Sequence, residues 1–252
     1  MLQSRIIPFI GGGPTPATIL SGLVYELDPQ RVTLASGRIA DWQNGIAQSD
    51  PSLRALYVSS DAGFNGQPVA SFDSSLGNYR YYPVGDLTAL TAGEIFTVFW
   101  LNYGLPPEFP TPWPGGTDRL TGFHQLGRSG NNIHVPYVDG NLYDDFGCTA
   151  RFTVAGGGAY FSPAPQLMNA RANSSQQFYE VDGTVLLNRS SGYTVGFSAA
   201  ALFGASNSGG GIYGISGRVA YHCLCSQVQS AAARAAMKEY LSLRFATPGY
   251  WS

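Results

Sequence analysis

In one segment of this chain the apolar residues recur with the spacing of an α-helix. The segment before it alternates as a β-strand does. Residues 217–225 alternate with a period of two, which predicts a strand with Val219, Tyr221 and Cys223 on one face and His222 on the other. Ser230 is then placed to cap a helix over residues 231–245. A single late helix predicts packing against a β-structure.

The predicted helix is amphipathic. Its inward stripe consists of residues spaced three and four apart, namely Ala233, Ala236, Met237, Tyr240, Leu241 and Phe245. The charged residues that we expect to face solvent are Arg234, Lys238, Glu239 and Arg244.

Short alternating or β-branched segments predict many strands upstream. They include residues 23–28, 31–34, 38–42, 67–73, 94–101, 121–126, 132–137, 150–154, 176–187, 193–195, 200–203 and 211–215. Residues 94–101 are apolar on both faces and predict a central strand. The dipeptides Asp139-Gly140 and Asp182-Gly183 predict tight hairpin turns.

Composition favours an all-β protein. Charged residues make up 12% of the 252 residues, aromatic residues 13%, and there are 32 glycines, which suits many strands joined by turns. The net charge of −2 and the lack of a basic cluster argue against nucleic-acid binding, and no apolar run is long enough to span a membrane. The N-terminus is not predicted to be a signal peptide. We expect an extended Gly/Pro arm over residues 1–18 and a single domain over residues 19–252.

Four motifs resemble those of a known superfamily. They are Gly217-Arg-Val-Ala with the helix after it, and residues 67–73, 135–147 and 176–187. In their order along the chain, these motifs are similar to those of LamG-like jelly rolls of the concanavalin A-like lectin/glucanase superfamily. The resemblance implies an antiparallel jelly-roll β-sandwich with one C-terminal helix, and it places Trp42 where that family keeps a buried tryptophan. Tyr221 and His222 depart from the family pattern, which has an acid and an aliphatic residue there.

Candidate catalytic groups are sparse in the sequence. Glycoside hydrolases of this fold use a pattern close to E-x-D-x-x-E, of which Glu26 and Asp28 supply the first half and no second Glu follows. His124, His134 and His222 each lie inside a strand pattern, which favours packed or surface histidines over a nucleophile's base. We therefore expect no enzymatic activity. The thiols of Cys148, Cys223 and Cys225 are expected to be buried and unbridged.

No cofactor is predicted, but the sequence leaves calcium open. Relatives by resemblance often hold calcium with loop acids and carbonyls, and the weak candidates here are Asp139, Asn141, Asp144 and Asp145. The alternative is that Asp139 forms a turn and that the other three are solvated.

Aromatic residues on predicted loops are the candidates for ligand or partner contact. Phe109 and Trp113 lie on a proline-stiffened loop, and Tyr79, Tyr81 and Tyr82 lie in a short aromatic cluster. Aromatic rings stack on the C–H faces of sugars, and they are equally favoured in protein–protein contacts. The residues alone do not separate these two uses.

The arm, the low charge and the free-standing jelly roll together are similar to accessory proteins of tailed-phage particles. This similarity implies a non-enzymatic structural or adhesion module of a virion, placed on the tail, baseplate or capsid surface and assembled in the host cytoplasm. Its partners would be other virion proteins, further copies of itself, and host-surface polysaccharide. Assembly contacts are predicted at the arm, including Phe9, and at Tyr250 and Trp251. The alternatives are a stand-alone lectin module and a divergent glycoside hydrolase.

Overall fold

The computed structural model describes residues 13–43, 45–72, 80–101, 126–127, 140–162, 164–198, 201–206, 212–215 and 217–245. Ten of its strands form one large sheet: β1 (Leu23–Leu27), β2 (Thr33–Ala35), β3 (Arg38–Asp41), β4 (Leu56–Asp61), β5 (Gln67–Phe72), β7 (Gly93–Leu101), β10 (Gln166–Asn173), β11 (Gln176–Val181), β12 (Thr184–Arg189) and β16 (Gly217–Cys225). Six shorter strands form three two-stranded ribbons: β6 (Tyr82–Pro83) with β13 (Ala201–Leu202), β8 (Leu142–Asp144) with β9 (Phe152–Val154), and β14 (Gly204–Ser206) with β15 (Ile212–Gly214). The helices are α1 (Pro16–Ile19) and α2 (Ala231–Phe245).

The two longest strands lie at the centre of the large sheet. The strand order is β12-β11-β10-β7-β16-β5-β4-β3-β2, and β1 also pairs with β16. Every pairing within this sheet is antiparallel. The apolar run at residues 94–101 is therefore a central strand, as its β-branched and aromatic composition predicts.

Alternate residues of the central strands enter two separate apolar cores. In β7, Ile95 and Phe99 belong to the larger core, whereas Phe96 and Val98 belong to the smaller one. The larger core is shared with the short ribbons, and the smaller core is shared with α2. We call the face of the large sheet that α2 covers in part the helix-side face.

This arrangement confirms the predicted fold class, a mostly antiparallel β-sandwich with a C-terminal helix. Trp42 is buried in the larger core against Tyr82, as the resemblance implies. No helix within the described residues is long and apolar enough to cross a membrane.

A β-bulge corrects the predicted faces of β16. Val219 pairs with Phe99, and the next pairing along β7 is Tyr221 with Val98, so Ala220 is the extra residue. Val219 consequently points into the larger core, while Tyr221 and Cys223 point into the smaller one. The prediction that Val219 shares a face with Tyr221 was wrong, because simple alternation takes no account of an inserted residue.

Helix α2 begins and ends where its sequence predicts. The Ser230 hydroxyl accepts a hydrogen bond of 3.1 Å from the Ala233 amide, which caps the first turn. The buried residues of α2 are Met237, Leu241 and Phe245. Ala236 is exposed rather than inward-facing, so the buried stripe is narrower than predicted.

The charged residues of α2 correct the sequence prediction more strongly. Arg234, Lys238 and Arg244 do not simply face solvent; they form ion pairs with Glu94, Glu180 and Asp28 of the sheet region. Long cationic side chains can reach past the apolar stripe of a helix to partners at its margins. The helix is thus held by ion pairs along its length as well as by its apolar stripe.

Glu94 is the most heavily bonded of these carboxylates. It is completely buried, and its Oε1 accepts hydrogen bonds from Arg234 Nε at 2.7 Å and from Asn169 Nδ2 at 2.8 Å. Its Oε2 accepts from the Gln229 amide at 2.7 Å and from Arg234 Nη2 at 3.3 Å. Four donors compensate for burial of the charge, and three of them belong to residues in or just before α2.

The last residues of the predicted N-terminal arm are helical rather than extended. Pro16 occupies the first helical turn of α1, and the Thr15 amide donates to the Thr18 hydroxyl at 2.9 Å. Residues 1–12 of the arm lie outside the described residues. The division into an arm and a single domain stays a prediction.

The Asp182-Gly183 hairpin is confirmed. Both residues have positive φ, at 48° and 76°, and Val181 pairs with Thr184 across the turn. This is the backbone that a two-residue turn of the predicted type requires, and glycine adopts it without strain.

We predict that Glu94→Gln lowers the free energy of unfolding by about 3 kcal/mol, because it leaves the Arg234 guanidinium without its charge partner in a largely buried site. Urea titration followed by circular dichroism measures this loss. The matched control is Arg31→Gln, which breaks the more exposed pair with Glu26 and should cost about 1 kcal/mol or less. Equal losses in the two variants would contradict the role given to Glu94.

Candidate functional site

A row of partly exposed side chains crosses five strands on the helix-side face. Trp100 of β7 pairs with Arg218 of β16, Arg218 pairs with Ser71 of β5, Ser71 pairs with Leu56 of β4, and Leu56 pairs with Arg38 of β3. Directly paired residues of antiparallel strands lie on the same face. We call these five residues the cross-strand row.

The row is exposed to solvent in part. None of its five residues is buried, and Leu56 is 39% exposed. Four interstrand spacings of about 4.8 Å give it a length of about 19 Å. It is a shallow surface, of the size that an extended ligand could lie along.

Trp100 and Arg218 form the aromatic end of the row. The Arg218 guanidinium carbon lies 5.0 Å from the centroid of the Trp100 ring, within the range of a cation–π contact. Arg218 also forms an ion pair of 2.9 Å with the buried carboxylate of Asp61. The guanidinium is therefore held over the indole ring.

The turn beside Trp100 fixes this geometry. Asp61 Oδ1 accepts a hydrogen bond of 2.9 Å from the Gly63 amide, so one carboxylate both caps the turn and pairs with Arg218. A Cβ atom on Gly63 would lie 2.4 Å from Cζ3 of Trp100. Glycine at this position lets the indole pack against the turn.

Arg38 forms the other end of the row. Its Nη1 donates a hydrogen bond of 3.0 Å to the Arg54 carbonyl, and Arg54 Nε donates to the Gln48 carbonyl at 2.7 Å. Among the described residues Arg38 forms no ion pair with a carboxylate. The guanidinium groups of Arg38 and Arg54 are each held by backbone carbonyls.

Two of the aromatic contact residues predicted from the sequence, Tyr81 and Tyr82, lie within the described residues, and neither belongs to the cross-strand row. Tyr82 is completely buried; its hydroxyl donates to the Ile39 carbonyl at 2.7 Å and accepts from the Ala55 amide at 2.9 Å. Burial also raises the pKa of the Tyr82 hydroxyl. The prediction of Tyr82 as a contact residue was wrong, because its strand pairs with β13 and turns the ring into the core. Tyr81 is partly exposed.

The other predicted contact residues lie outside the described residues. They are Phe9, Tyr79, Phe109, Trp113, Tyr250 and Trp251.

The calcium candidates are not gathered into one described site. Asn141 precedes β8 and Asp144 ends it, and Asn141 Oδ1 accepts a hydrogen bond of 2.9 Å from the Gly156 amide. Asp144 and Asp145 are buried rather than solvated, and Asp144 Oδ1 accepts from the Phe146 amide at 2.7 Å. Asp139 lies outside the described residues. No group of three or more acidic, histidine or cysteine side chains suited to a metal occurs in the part of the chain that the structure describes.

Glu26 and Asp28, the two acids that match the glycoside-hydrolase pattern, both form ion pairs. Glu26 Oε2 accepts from Arg31 at 2.9 Å and its Oε1 accepts from the Tyr221 hydroxyl at 3.1 Å, while Arg244 binds both oxygens of Asp28 at 2.7 Å. Burial raises the pKa of Glu26, and the Arg31 charge opposes that shift. Both carboxylates have a cation as partner.

The remaining candidate nucleophiles and bases that the structure describes are buried. His222 is fully buried, with Nδ1 at 2.7 Å from the Thr97 hydroxyl and Nε2 at 3.2 Å from the Tyr25 hydroxyl. This confirms a packed histidine; His124 and His134 lie outside the described residues. All three cysteines are buried and unbridged, as predicted, and burial raises the pKa of Cys148 to about 12.

Sequence reasoning missed the cross-strand row. The signal available was weak: Trp100 ends an apolar strand, and Arg218 interrupts the start of another. The row exists only because five strands from distant parts of the chain meet in one register, which no local pattern encodes.

Comparison with known proteins supports the fold. No protein-family model matches the sequence, and no curated protein matches it. Domain 4 of the GH43 extracellular arabinanase AbnA from Geobacillus stearothermophilus, solved in complex with arabinotriose, is similar in structure with a TM-score of 0.53 and 8% identity, over 82% of this chain and 94% of that one. The receptor-binding domain of botulinum neurotoxin type G is similar with a TM-score of 0.50 and 7% identity, over 88% of this chain. The match spans about half of that domain, 51%.

We predict that Gly63→Ala displaces the Trp100 indole, because the new methyl group meets the ring at 2.4 Å. The near-UV circular dichroism spectrum should change, and the free energy of unfolding should fall by about 1–3 kcal/mol. Gly85→Ala is the matched control, since a Cβ atom there has nothing within 4 Å. An unchanged aromatic spectrum in Gly63→Ala would contradict the packing described.

We predict that Tyr82→Phe lowers the free energy of unfolding by about 1–3 kcal/mol, because the Ala55 amide and the Ile39 carbonyl lose their partner in the core. Tyr160→Phe removes a hydroxyl from a side chain that is 45% exposed and should change stability by less than about 0.5 kcal/mol. Denaturant titration of both variants tests this. A Tyr82→Phe variant as stable as the wild type would show that the hydroxyl of Tyr82 does not stabilise the fold.

Proposed function

We propose that this protein is a non-enzymatic carbohydrate-binding module and that its binding surface is the cross-strand row. The observation that carries the proposal is the partly exposed indole of Trp100 beside Arg218 on the sheet. An indole offers an apolar face to the C–H groups of a sugar ring, and an adjacent guanidinium donates hydrogen bonds to its oxygens.

The shape of the surface supports the same proposal. A shallow row about 19 Å long suits several consecutive sugars lying along the sheet better than a small molecule that needs an enclosing pocket. Each sugar would contact one or two side chains, so the affinity of a single site is expected to be modest. The arabinanase domain of similar fold was solved with a trisaccharide, arabinotriose, which lends support at the level of the fold.

The predicted proline-rich loop with Phe109 and Trp113 is a second place where sugars could stack, and it lies outside the described residues. The experiment below therefore separates the two surfaces.

Assembly on a tailed-phage particle stays a proposal from the sequence alone. Its contact residues, Phe9, Tyr250 and Trp251, lie outside the described residues, as does most of the arm. Calcium binding by Asp139, Asn141, Asp144 and Asp145 also stays a proposal from the sequence alone.

The test is a glycan array that includes plant and bacterial polysaccharides, probed with the wild type, Trp100→Ala and Trp113→Ala. We expect selective binding by the wild type and a loss of about tenfold or more in Trp100→Ala, since a stacked ring supplies one of the main contacts. Leu243→Ala, which truncates an apolar side chain that is 69% exposed on α2, is the control and should bind as the wild type does.

Two outcomes would contradict the proposal. Absence of binding across the array would remove the carbohydrate function, and loss of binding in Trp113→Ala but not in Trp100→Ala would move the site to the proline-rich loop. Urea titration of each variant shows whether a loss of binding reflects unfolding.

A further inference from the structure

The order of side chains along the cross-strand row is periodic. Trp100 is followed by Arg218 on the neighbouring strand, and Leu56 is followed by Arg38 on its neighbouring strand, with Ser71 between the two pairs. The pattern of an apolar residue and then a cation thus occurs twice in one line. Three interstrand spacings separate the two arginines, a distance of about 14 Å.

Both cations are available to an anionic ligand in the same direction. The Arg218 side chain is 36% exposed, and its ion pair with Asp61 uses Nη1. Arg38 is partly exposed and bonds a carbonyl through Nη1. A guanidinium carries five N–H donors, so each arginine keeps donors for a carboxylate or a sulfate.

The charge balance near the row favours anions at the Arg38 end. Arg38 donates to the backbone carbonyl of Arg54. The charge of Arg54 acts on Asp50, whose pKa is lowered mainly by hydrogen bonds from Ser52 and also by Arg54. Asp61 balances Arg218 at the other end. Among the described residues Arg38 has no carboxylate partner, so a ligand anion would be the one that neutralises it.

We propose that the ligand of the cross-strand row is a linear acidic polysaccharide, in which an apolar sugar face and a carboxylate or sulfate group recur about every 14 Å along the chain. This inference rests on the proposed carbohydrate function and deepens it. One sugar stacks on Trp100 with its anionic group near Arg218, and a later sugar lies on Leu56 with its anionic group near Arg38. The hydroxyl of Ser71 lies between them, within reach of the linking sugars.

The experiment compares charged polymers with their neutral counterparts by isothermal titration calorimetry. The probes are polygalacturonate against fully methyl-esterified polygalacturonate, and dextran sulfate against dextran, so that carboxylate and sulfate are tested separately. We expect the charged member of at least one pair to bind at least tenfold more tightly at low salt, and the difference to shrink as ionic strength rises.

Variants of Arg38 test the position of the charge. Arg38→Gln should weaken binding of the charged polymer about tenfold, the loss of one charge-assisted contact, while binding of the neutral polymer changes less than about twofold. Arg38→Lys keeps the charge and should retain most of the preference. The matched control is Arg151→Gln. Arg151 is exposed, immediately precedes β9 and does not belong to the row.

The length of the ligand tests whether one polysaccharide chain contacts both arginines of the row. A hexamer of galacturonic acid should bind more tightly than the dimer in the wild type, and Arg38→Gln should remove most of that advantage.

The outcomes separate this inference from the function on which it rests. Trp100-dependent binding with no preference for charge, or a preference that Arg38→Gln leaves intact, would overturn the acidic ligand and keep the carbohydrate function. Absence of binding to every polymer would overturn both.

Discussion

The buried carboxylate of Glu94 sets the arrangement of the helix-side face. A charge placed in the middle of a ten-stranded sheet must be neutralised, and the nearest cation is Arg234 in the first turns of α2. The Gln229 amide, just before the helix, binds the same carboxylate. The helix therefore has to begin above Glu94, and its direction is then fixed at the other end by the pair between Arg244 and Asp28.

Placing α2 in this way leaves part of the sheet open. The apolar stripe of Met237, Leu241 and Phe245 covers the smaller core, and the last turn of the helix reaches Asn65, whose amide donates to the Arg244 carbonyl at 3.4 Å. The row from Trp100 to Arg38 crosses the sheet beyond this cover. The five side chains of the row are exposed in part, which makes them available to the proposed ligand.

The two faces of the large sheet form different kinds of contact. The interior side is closed by aromatic packing, in which Trp42, Phe72, Tyr82 and Phe203 contact one another and His222 is held between two hydroxyls. The helix-side face combines ion pairs, an arginine stacked 3.5 Å above Phe178, and the cross-strand row. The proposed ligand surface therefore lies on the face of the sheet opposite the larger apolar core.

The sequence by itself determined the elements whose information is local. The β-branched and aromatic run at residues 94–101 and the alternation of residues 217–225 define the central strands, and Ser230 with the residues after it defines α2. Asp182-Gly183 defines a hairpin. These signals are local because propensity, capping and turn geometry act over a few residues. Only the tertiary structure decided which partners the charged residues of α2 bind and which face of the sheet Val219 occupies at the bulge. It also decided that the Tyr82 hydroxyl is buried and hydrogen-bonded in the core. The same holds for the row that joins Trp100 to Arg38. Its members are far apart in the chain, and they share a line only because the strand order and register of the folded sheet bring them together.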